Sequence, residues 1–402
     1  MSSWRVPYPK FGDGPGLDRV ARIARRLGLD LPGFGAGGAV IVGSNGKGST
    51  AAMCAALLQR AERPIGLFTS PHLFSLRERF RIDGDDITEG ELAHHWDRVR
   101  AAIDAESLER AMGGFEFLFL IAADWFAARG CAHTVWEAGI GGRLDPVRLI
   151  AARRLALTSL DLEHTALLGD TLEAIAREKI AAAAPGATIY APDTLDQTMV
   201  EKLALEADAH VVFIAPASDA PLPGAHQRAN AALALAIACD IAPMSAEAAR
   251  HALNATRWPG RLETLSMTPL FVIDVGHTPA GVAAALEGFR TLAGARRRTL
   301  ICGASADKAV SALISALAKD FPLIIAAAAT HKGAPVAEVA AAAMAANPNA
   351  EIVIAENVAV ARRIALARAG EDGAIYVAGG LFLAAEARAL HLGRDPASLT
   401  FF

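Results

Sequence analysis

Along this chain, short apolar runs rich in β-formers alternate with longer segments of helical composition. GAVIVG (38–43) is one such run and ends in glycine, and the segment 49–61 that follows has a helical make-up. PIGLFTS (64–70), HTVWEAG (133–139), RLALTSLD (154–161), ATIYAP (187–192) and HVVFIAP (210–216) repeat the strand pattern. Between them, FEFLFLIAADWFAA (115–128) reads as a buried helix. TLEAIAREKIAAAA (171–184) reads as a helix whose Thr171 is placed to cap its N-terminus. This β-α-β rhythm predicts a mostly parallel sheet wrapped by helices, with ligands at the carboxyl ends of the strands.

The rhythm is punctuated twice. PASDAPLPGAHQ (216–227) reads as a surface loop. WPGR (258–261) is a stronger break, because Pro259 and Gly260 interrupt a helical region. A second α/β series then begins: LFVIDVG (270–276), RTLICGA (298–304), LIIAAAA (323–329), EIVIAE (351–356) and AIYVAGG (374–380), with Ala-rich helices between. The expected organisation is α/β in two unequal domains, 1–260 and 261–402. No fixed repeat period is evident.

Composition narrows the function classes. Of 402 residues, 53% are apolar and 20% charged, which excludes a disordered chain. With 39 basic against 43 acidic residues and a net charge of −4, nucleic-acid binding has no support as the main role. Cys54, Cys131, Cys239 and Cys302 are far apart and form no CxxC, so buried thiols in a reducing compartment are expected rather than disulfides or a zinc site. The leading stretch MSSWRVPYPKFGDGPG lacks an apolar core, and no run of about 20 apolar residues occurs. A cytoplasmic protein with no membrane partner is expected.

The sharpest local chemistry is Gly43-Ser44-Asn45-Gly46-Lys47-Gly48-Ser49-Thr50, between a strand and a helix. Glycines admit a phosphate to backbone N–H groups, a helix N-terminus adds partial positive charge, and a lysine adds a full one. The strict GxxxxGK[ST] spacing is not met, since Ile41 stands where its first glycine would be and Gly48 separates Lys47 from Ser49. A nucleotide phosphate also needs a divalent cation with oxygen ligands. Glu137, at the end of one strand, suits that role. Asp161 and His164 follow another strand. Lys179 lies in a largely apolar helix face beside Arg177 and Glu178, a pattern that also fits a solvated surface.

Taken together and in order, the motifs GSNGKGST (43–50), LFTSPHL (67–73), EAGIGGRLD (137–145), SLDLEHTALLGDTLEAIAREK (159–179), GAHQRANAALA (224–234), WPGRLE (258–263), DVGHTP (274–279), GASADK (303–308) and AGGLFL (378–383) resemble the folylpolyglutamate synthase/dihydrofolate synthase family of the Mur ligase superfamily. The resemblance implies a Mur-ligase-like fold, with a larger P-loop-type ATP-binding domain and a smaller Rossmann-like C-terminal domain. It implies ATP-dependent joining of L-glutamate to dihydropteroate or tetrahydrofolate through an acyl phosphate, in folate biosynthesis and one-carbon metabolism, by a monomer. It implies that Asn45, Gly46, Lys47, Gly48, Ser49 and Thr50 hold ATP phosphates. Ser70, Glu137 and His164 would surround one or two Mg2+ ions, with Lys179 carbamylated as a further ligand. Asn230, Arg261, Asp274 and His277 would reach the nucleotide. Lys47, Glu137, His164 and Lys179 are the implied catalytic set.

Several positions depart from the family pattern. Val275-Gly276-His277-Thr278 stands in place of Ala-His-Asn, Pro146-Val147-Arg148 follows GGRLD, and Phe119 replaces a threonine. Gly380 and Phe382 lack the hydroxyls of a Gly-Ser-Leu-Tyr run. The changes fall mostly where the acceptor or the amino acid would be held. Three other readings therefore stand beside the first: a superfamily relative joining another amino acid and carboxylate, an ATP-binding partner without turnover, and a simple P-loop ATPase or kinase.

Overall fold

The computed structural model describes residues 4–61 and 63–401. Residues 1–3 of the leading stretch lie outside the described residues. Eight strands form a first sheet: β1 (Gly38–Val42), β2 (Ile65–Phe68), β3 (Phe80–Ile82), β4 (Asp85–Asp86), β5 (His133–Glu137), β6 (Arg154–Leu157), β7 (Thr188–Pro192) and β8 (His210–Ile214). Their order is β4-β3-β2-β5-β1-β6-β7-β8, parallel except for the β2-β3-β4 turnback. Side chains alternate across the sheet as a period of two requires. Val40 and Val42 face one core with Trp136, Leu155 and Leu157, whereas Ala39 and Ile41 face the other with Val135 and Ala156. Both faces are covered by helices, which is why these strands read as continuous apolar runs. Helix Lys47–Leu58 packs against helix His226–Ile241 on one face, and helix Gly114–Ala128 lies on the other.

Six strands form the second sheet: β9 (Glu263–Met267), β10 (Leu270–Ile273), β11 (Arg298–Cys302), β12 (Leu323–Ala326), β13 (Glu351–Ile354) and β14 (Ala374–Ala378). The order is β13-β12-β11-β14-β10-β9, with only β9 antiparallel. Helices Pro279–Ala293, Val310–Ala318 and Val336–Ala346 cover one face, and Val358–Ala369 and Leu381–His391 the other. Helix Ala246–Ala255 still packs on the first sheet, and β9 already pairs in the second.

The expected strands are present, and Thr171 accepts a hydrogen bond from Ala174 N–H as helix cap. Three strands were not read from the sequence: β3, β4 and β9. Each is antiparallel, and β4 and β9 are largely polar, so they carry no apolar run. Cys54 and Cys302 are buried as expected, but Cys131 and Cys239 are only partly so. Among the described residues no helix is long and apolar enough to cross a membrane.

Candidate active site

The carboxyl ends of β5, β1 and β6 lie side by side, and the chain departs from them in different directions. That leaves a crevice of the kind where doubly wound sheets take ligands. The loop leaving β1 is held by residues leaving β6. Asn45 N–H donates to Ser159 Oγ at 2.8 Å, and the hydroxyls of Thr158 and Ser159 donate to the Asn45 carbonyl at 2.6 and 3.0 Å. Asp161 N–H donates to Ser44 Oγ at 3.0 Å. Gly46 has φ +86°, and a Cβ there would stand 2.5 Å from Asn230 Oδ1, so only glycine fits this step into the helix. Lys47 opens the helix, and its Nζ donates to the carbonyls of Gly43 and Ser44 at 2.8 and 3.2 Å. Behind the loop, Asn230 Nδ2 donates to Gln227 Oε1 at 2.9 Å, and Gln227 Nε2 to Ser49 Oγ at 3.4 Å.

Glu137 ends β5 directly beside Ile41 of β1. It is 4% exposed, and its Oε2 accepts the N–H of Ser70 at 2.9 Å. A Cβ on Gly48 would lie 3.4 Å from the same oxygen and 3.2 Å from Trp258 Nε1. Trp136, one residue earlier, packs among Phe34, Phe68, Phe119 and Phe126, and this packing fixes the direction in which the carboxylate leaves the strand. Burial pushes the Glu137 carboxyl up, while Lys47, Arg261 and Arg79 pull it partly back. Keeping this group charged therefore costs stability at every pH above the ordinary carboxyl range. Glu137→Gln, which keeps an acceptor for Ser70, is expected to be more stable than wild type at neutral pH in metal-free buffer. The advantage should vanish below about pH 4, where the carboxyl is protonated folded or unfolded. Denaturant unfolding at the two pH values checks this.

Lys179 is 1% exposed, and its Nζ donates to Glu163 Oε1 at 2.8 Å. Burial, then Lys47, push its ammonium down to about 8, although Glu163 and Asp145 oppose the shift. Burial pushes Glu163 up, but Lys47, Lys179 and His164 outweigh it and hold the carboxyl below its ordinary value. The segment 139–145 folds around Asp145, whose oxygens accept N–H groups from Gly139, Ile140 and Val147 at 2.8, 3.2 and 3.1 Å. Arg143 N–H donates to the Glu178 carbonyl at 2.8 Å, tying this segment to the Lys179 helix. His164 has φ +46° and begins the short helix Thr165–Leu168. Burial lowers its imidazole, and Lys308, Lys10 and Lys47 add to the effect.

The second sheet contributes at the end of β10. Thr278 caps helix Pro279–Ala293, and its hydroxyl also donates to Asn45 Oδ1 at 3.2 Å. Asp274 is buried, and its oxygens accept N–H from Gly276 at 2.7 Å and Leu262 at 3.0 Å. Oδ2 thus clamps the crossover 260–262 to the strand end, while Oδ1 fixes the turn that follows the strand. His277 is pushed down to about 4 by burial and by Lys308, Arg261 and Lys47.

The loop 45–50, Ser70, Glu137 and Asn230 therefore converge, and Asn45 meets the second sheet through Thr278. Lys179 pairs with Glu163 rather than with Ser70 or Glu137. Among the described residues no three His, Cys, Asp or Glu side chains converge on one point. Two buried polar atoms near the loop, Thr50 Oγ1 and Asp161 Oδ2, have no hydrogen-bond partner among the described residues. Glu163, Gln227 and Thr278 were not read from the sequence as site residues. Thr278 before Pro279 is a helix-start signature that was there to be read; Glu163 and Gln227 carry no such local mark.

The fold and this crevice define a Mur-ligase-like protein, and residues 260–381 match the Mur ligase, glutamate ligase domain. The chain is 31% identical to a probable bifunctional folylpolyglutamate synthase/dihydropteroate synthase of Haloferax volcanii over 94% of its own length and 49% of the relative's. It superimposes on Mycobacterium tuberculosis folylpolyglutamate synthase complexed with ADP with a TM-score of 0.86, at 26% identity over 96% of each chain. The Yersinia pestis bifunctional folylpolyglutamate synthase/dihydrofolate synthase complexed with AMPPNP and Mn ion gives 0.84, at 26% identity over 94% of this chain and 93% of that one. Over most of its length the chain is similar to proteins of the folylpolyglutamate synthase/dihydrofolate synthase family. It spans about half the length of the Haloferax relative and of a Halobacterium salinarum counterpart.

Proposed function

We propose that this protein is a cytoplasmic, monomeric, ATP-dependent ligase that joins L-glutamate to a folate-type carboxylate, dihydropteroate or tetrahydrofolate. Residues 1–260 would form the ATP-binding domain and 261–402 the glutamate ligase domain. The observation that carries the reading is the Thr278–Asn45 hydrogen bond, which joins the phosphate loop to the head of a helix of the second sheet. ATP held on that loop would face the domain that brings the amino acid.

In this reading Lys47 and the backbone of Gly46, Gly48 and Ser49 hold the phosphates, and the Thr50 hydroxyl faces them. Asn230 and Arg261 flank the nucleotide from the first domain and the crossover. Asp274 holds the crossover in place, and His277 approaches from the second domain. Ser70, Glu137 and His164 would hold Mg2+, with Lys179 in carbamylated form. The unpartnered oxygens of Asp161 and Thr50 and the buried charge of Glu137 suit a divalent cation. Bound Mg2+ supplies neutralisation of the charge on the transferring phosphoryl group. A lysine lowered to about 8 has more free amine at neutral pH than an ordinary one, which favours reaction with carbon dioxide.

The acceptor carboxylate attacks the γ-phosphorus and ADP leaves. The glutamate amine then attacks the acyl carbon, and phosphate leaves carrying one former carboxylate oxygen. Lys47 offsets charge in both steps. Burial of the site between two domains excludes water that would hydrolyse the acyl phosphate. The test is phosphate release from ATP: release requiring both glutamate and a folate-type acceptor is expected, and no release with any such pair would overturn the reading.

A further inference from the structure

A chain of contacts runs from the carboxyl end of the second sheet to the turn beside Ser70 and Glu137 without passing through the phosphate loop or Lys179. It begins in the turn after Ser70. Leu73 of that turn packs into the core of the second sheet with Phe271, Ile273 and Val275. The Glu78 carboxylate accepts the N–H groups of Leu73, Phe74 and Ser75 at 2.8, 3.0 and 2.9 Å, which fixes the turn. Inside it His72 is 3% exposed and uses both ring nitrogens. Arg79 Nε donates to His72 Nδ1 at 2.9 Å, and His72 Nε2 meets the Thr400 carbonyl oxygen. A guanidinium can only donate, so Nδ1 is the acceptor and the ring proton sits on Nε2, where Thr400 accepts it. The Phe401 ring lies parallel to the His72 imidazole, with centroids 5.7 Å apart and planes 5° apart. Phe401 is held in turn by His331 and Phe382, at 5.2 and 4.8 Å. Arg79 itself is 5% exposed and lies beside the support of Glu137: Thr69 N–H donates to the Arg79 carbonyl at 3.0 Å, and the next residue, Ser70, donates its N–H to Glu137 at 2.9 Å.

We infer that the segment Leu399–Phe401 is a positioning element: it fixes one tautomer and orientation of His72, and His72 thereby holds the Arg79 guanidinium toward Glu137. Without the Thr400 acceptor and the Phe401 stack, the imidazole is free to turn. A proton on Nδ1 would then face the donor of Arg79, and the guanidinium would have to re-aim. The consequence falls on the carboxylate assigned to the metal–nucleotide complex, so the inference rests on the proposed function. Phe382 fits the same account: the position that carries a hydroxyl in the family pattern is here a plain ring packed edge-on to Phe401.

The test is calorimetric binding of ADP to the full chain with and without Mg2+. Wild type should bind ADP more tightly with Mg2+. Phe401→Ala and His72→Leu should each lose about tenfold of that Mg2+-dependent gain. Metal-free ADP affinity should change by less than about twofold, since the phosphate loop is untouched. His72→Asn, whose Oδ1 takes the place of Nδ1 and accepts from Arg79, should keep most of the gain. A merely structural role would lower unfolding midpoints without this split. Unchanged Mg2+ gain in Phe401→Ala and His72→Leu, or His72→Asn no better than His72→Leu, would overturn the inference alone. Wild type with no Mg2+-dependent binding would overturn the functional reading and the inference together. If His72→Leu does not fold, the partly exposed Phe401 decides the question.

Discussion

Lys47→Ala is expected to lower ligation turnover by about 10²–10³-fold, the usual cost of removing one preorganised group from developing phosphoryl charge. The fold should stand. Among the described residues the ammonium bonds the Gly43 and Ser44 carbonyls of its own loop, and each such bond is worth about 1 kcal/mol net. The loop is held separately by Thr158 and Ser159. Lys47 is felt widely in the site: it pulls Glu137, Glu163 and Asp145 down and pushes Lys179, His164 and His277 down. Its loss would therefore also return Lys179 toward an ordinary lysine and leave Glu137 harder to ionise. Steady-state turnover at saturating ATP, beside a thermal melt, separates the two effects. A variant ligating near the wild-type rate would show that the nucleotide lies elsewhere.

Lys179→Ala should be both inactive and unstable, for different reasons. The side chains of Lys179 and Glu163 are 1% and 9% exposed, so removing the ammonium strands a buried carboxylate. Breaking such a pair costs about 3–5 kcal/mol. Pairing the change with Glu163→Gln should recover most of that stability, because no buried charge is left unpaired. Turnover should remain lost in both proteins if a carbamate at Lys179 is needed. Short carboxylic acids should then partly restore turnover in Lys179→Ala by supplying the missing anion. Recovery of activity along with stability in the double variant would mean that Lys179 is structural.

Much of this site could be read from the chain because its parts are local. Gly43–Thr50 announces a phosphate loop through glycine spacing, a preceding strand and a following helix. Glu137 announces itself as a carboxylate at the end of an apolar strand. Other features are invisible locally. Glu163 stands beside His164 in sequence, yet its partner is sixteen residues away on a helix, and only the fold brings them together. His72 lies within a recognisable motif, but its joint role with Arg79 depends on Thr400, more than three hundred residues further on. Asp274 was expected at the nucleotide. Its oxygens accept the N–H groups of Gly276 and Leu262, a backbone-clamping use that its sequence setting also allows. The edge strands β4 and β9 escaped notice because polar, antiparallel edges carry no continuous apolar run, and β3 because its three residues, Phe-Arg-Ile, are too short to show one.

The central claim is that a carboxylate is activated as an acyl phosphate in the crevice between the two sheets. The most direct measurement supplies a folate-type acceptor whose carboxylate carries heavy oxygen, together with ATP, Mg2+ and glutamate, and weighs the phosphate released. One heavy oxygen per phosphate, with the amide product formed in equal amount, is the predicted result. Phosphate that carries no label, or that forms at the same rate without acceptor, would contradict the account.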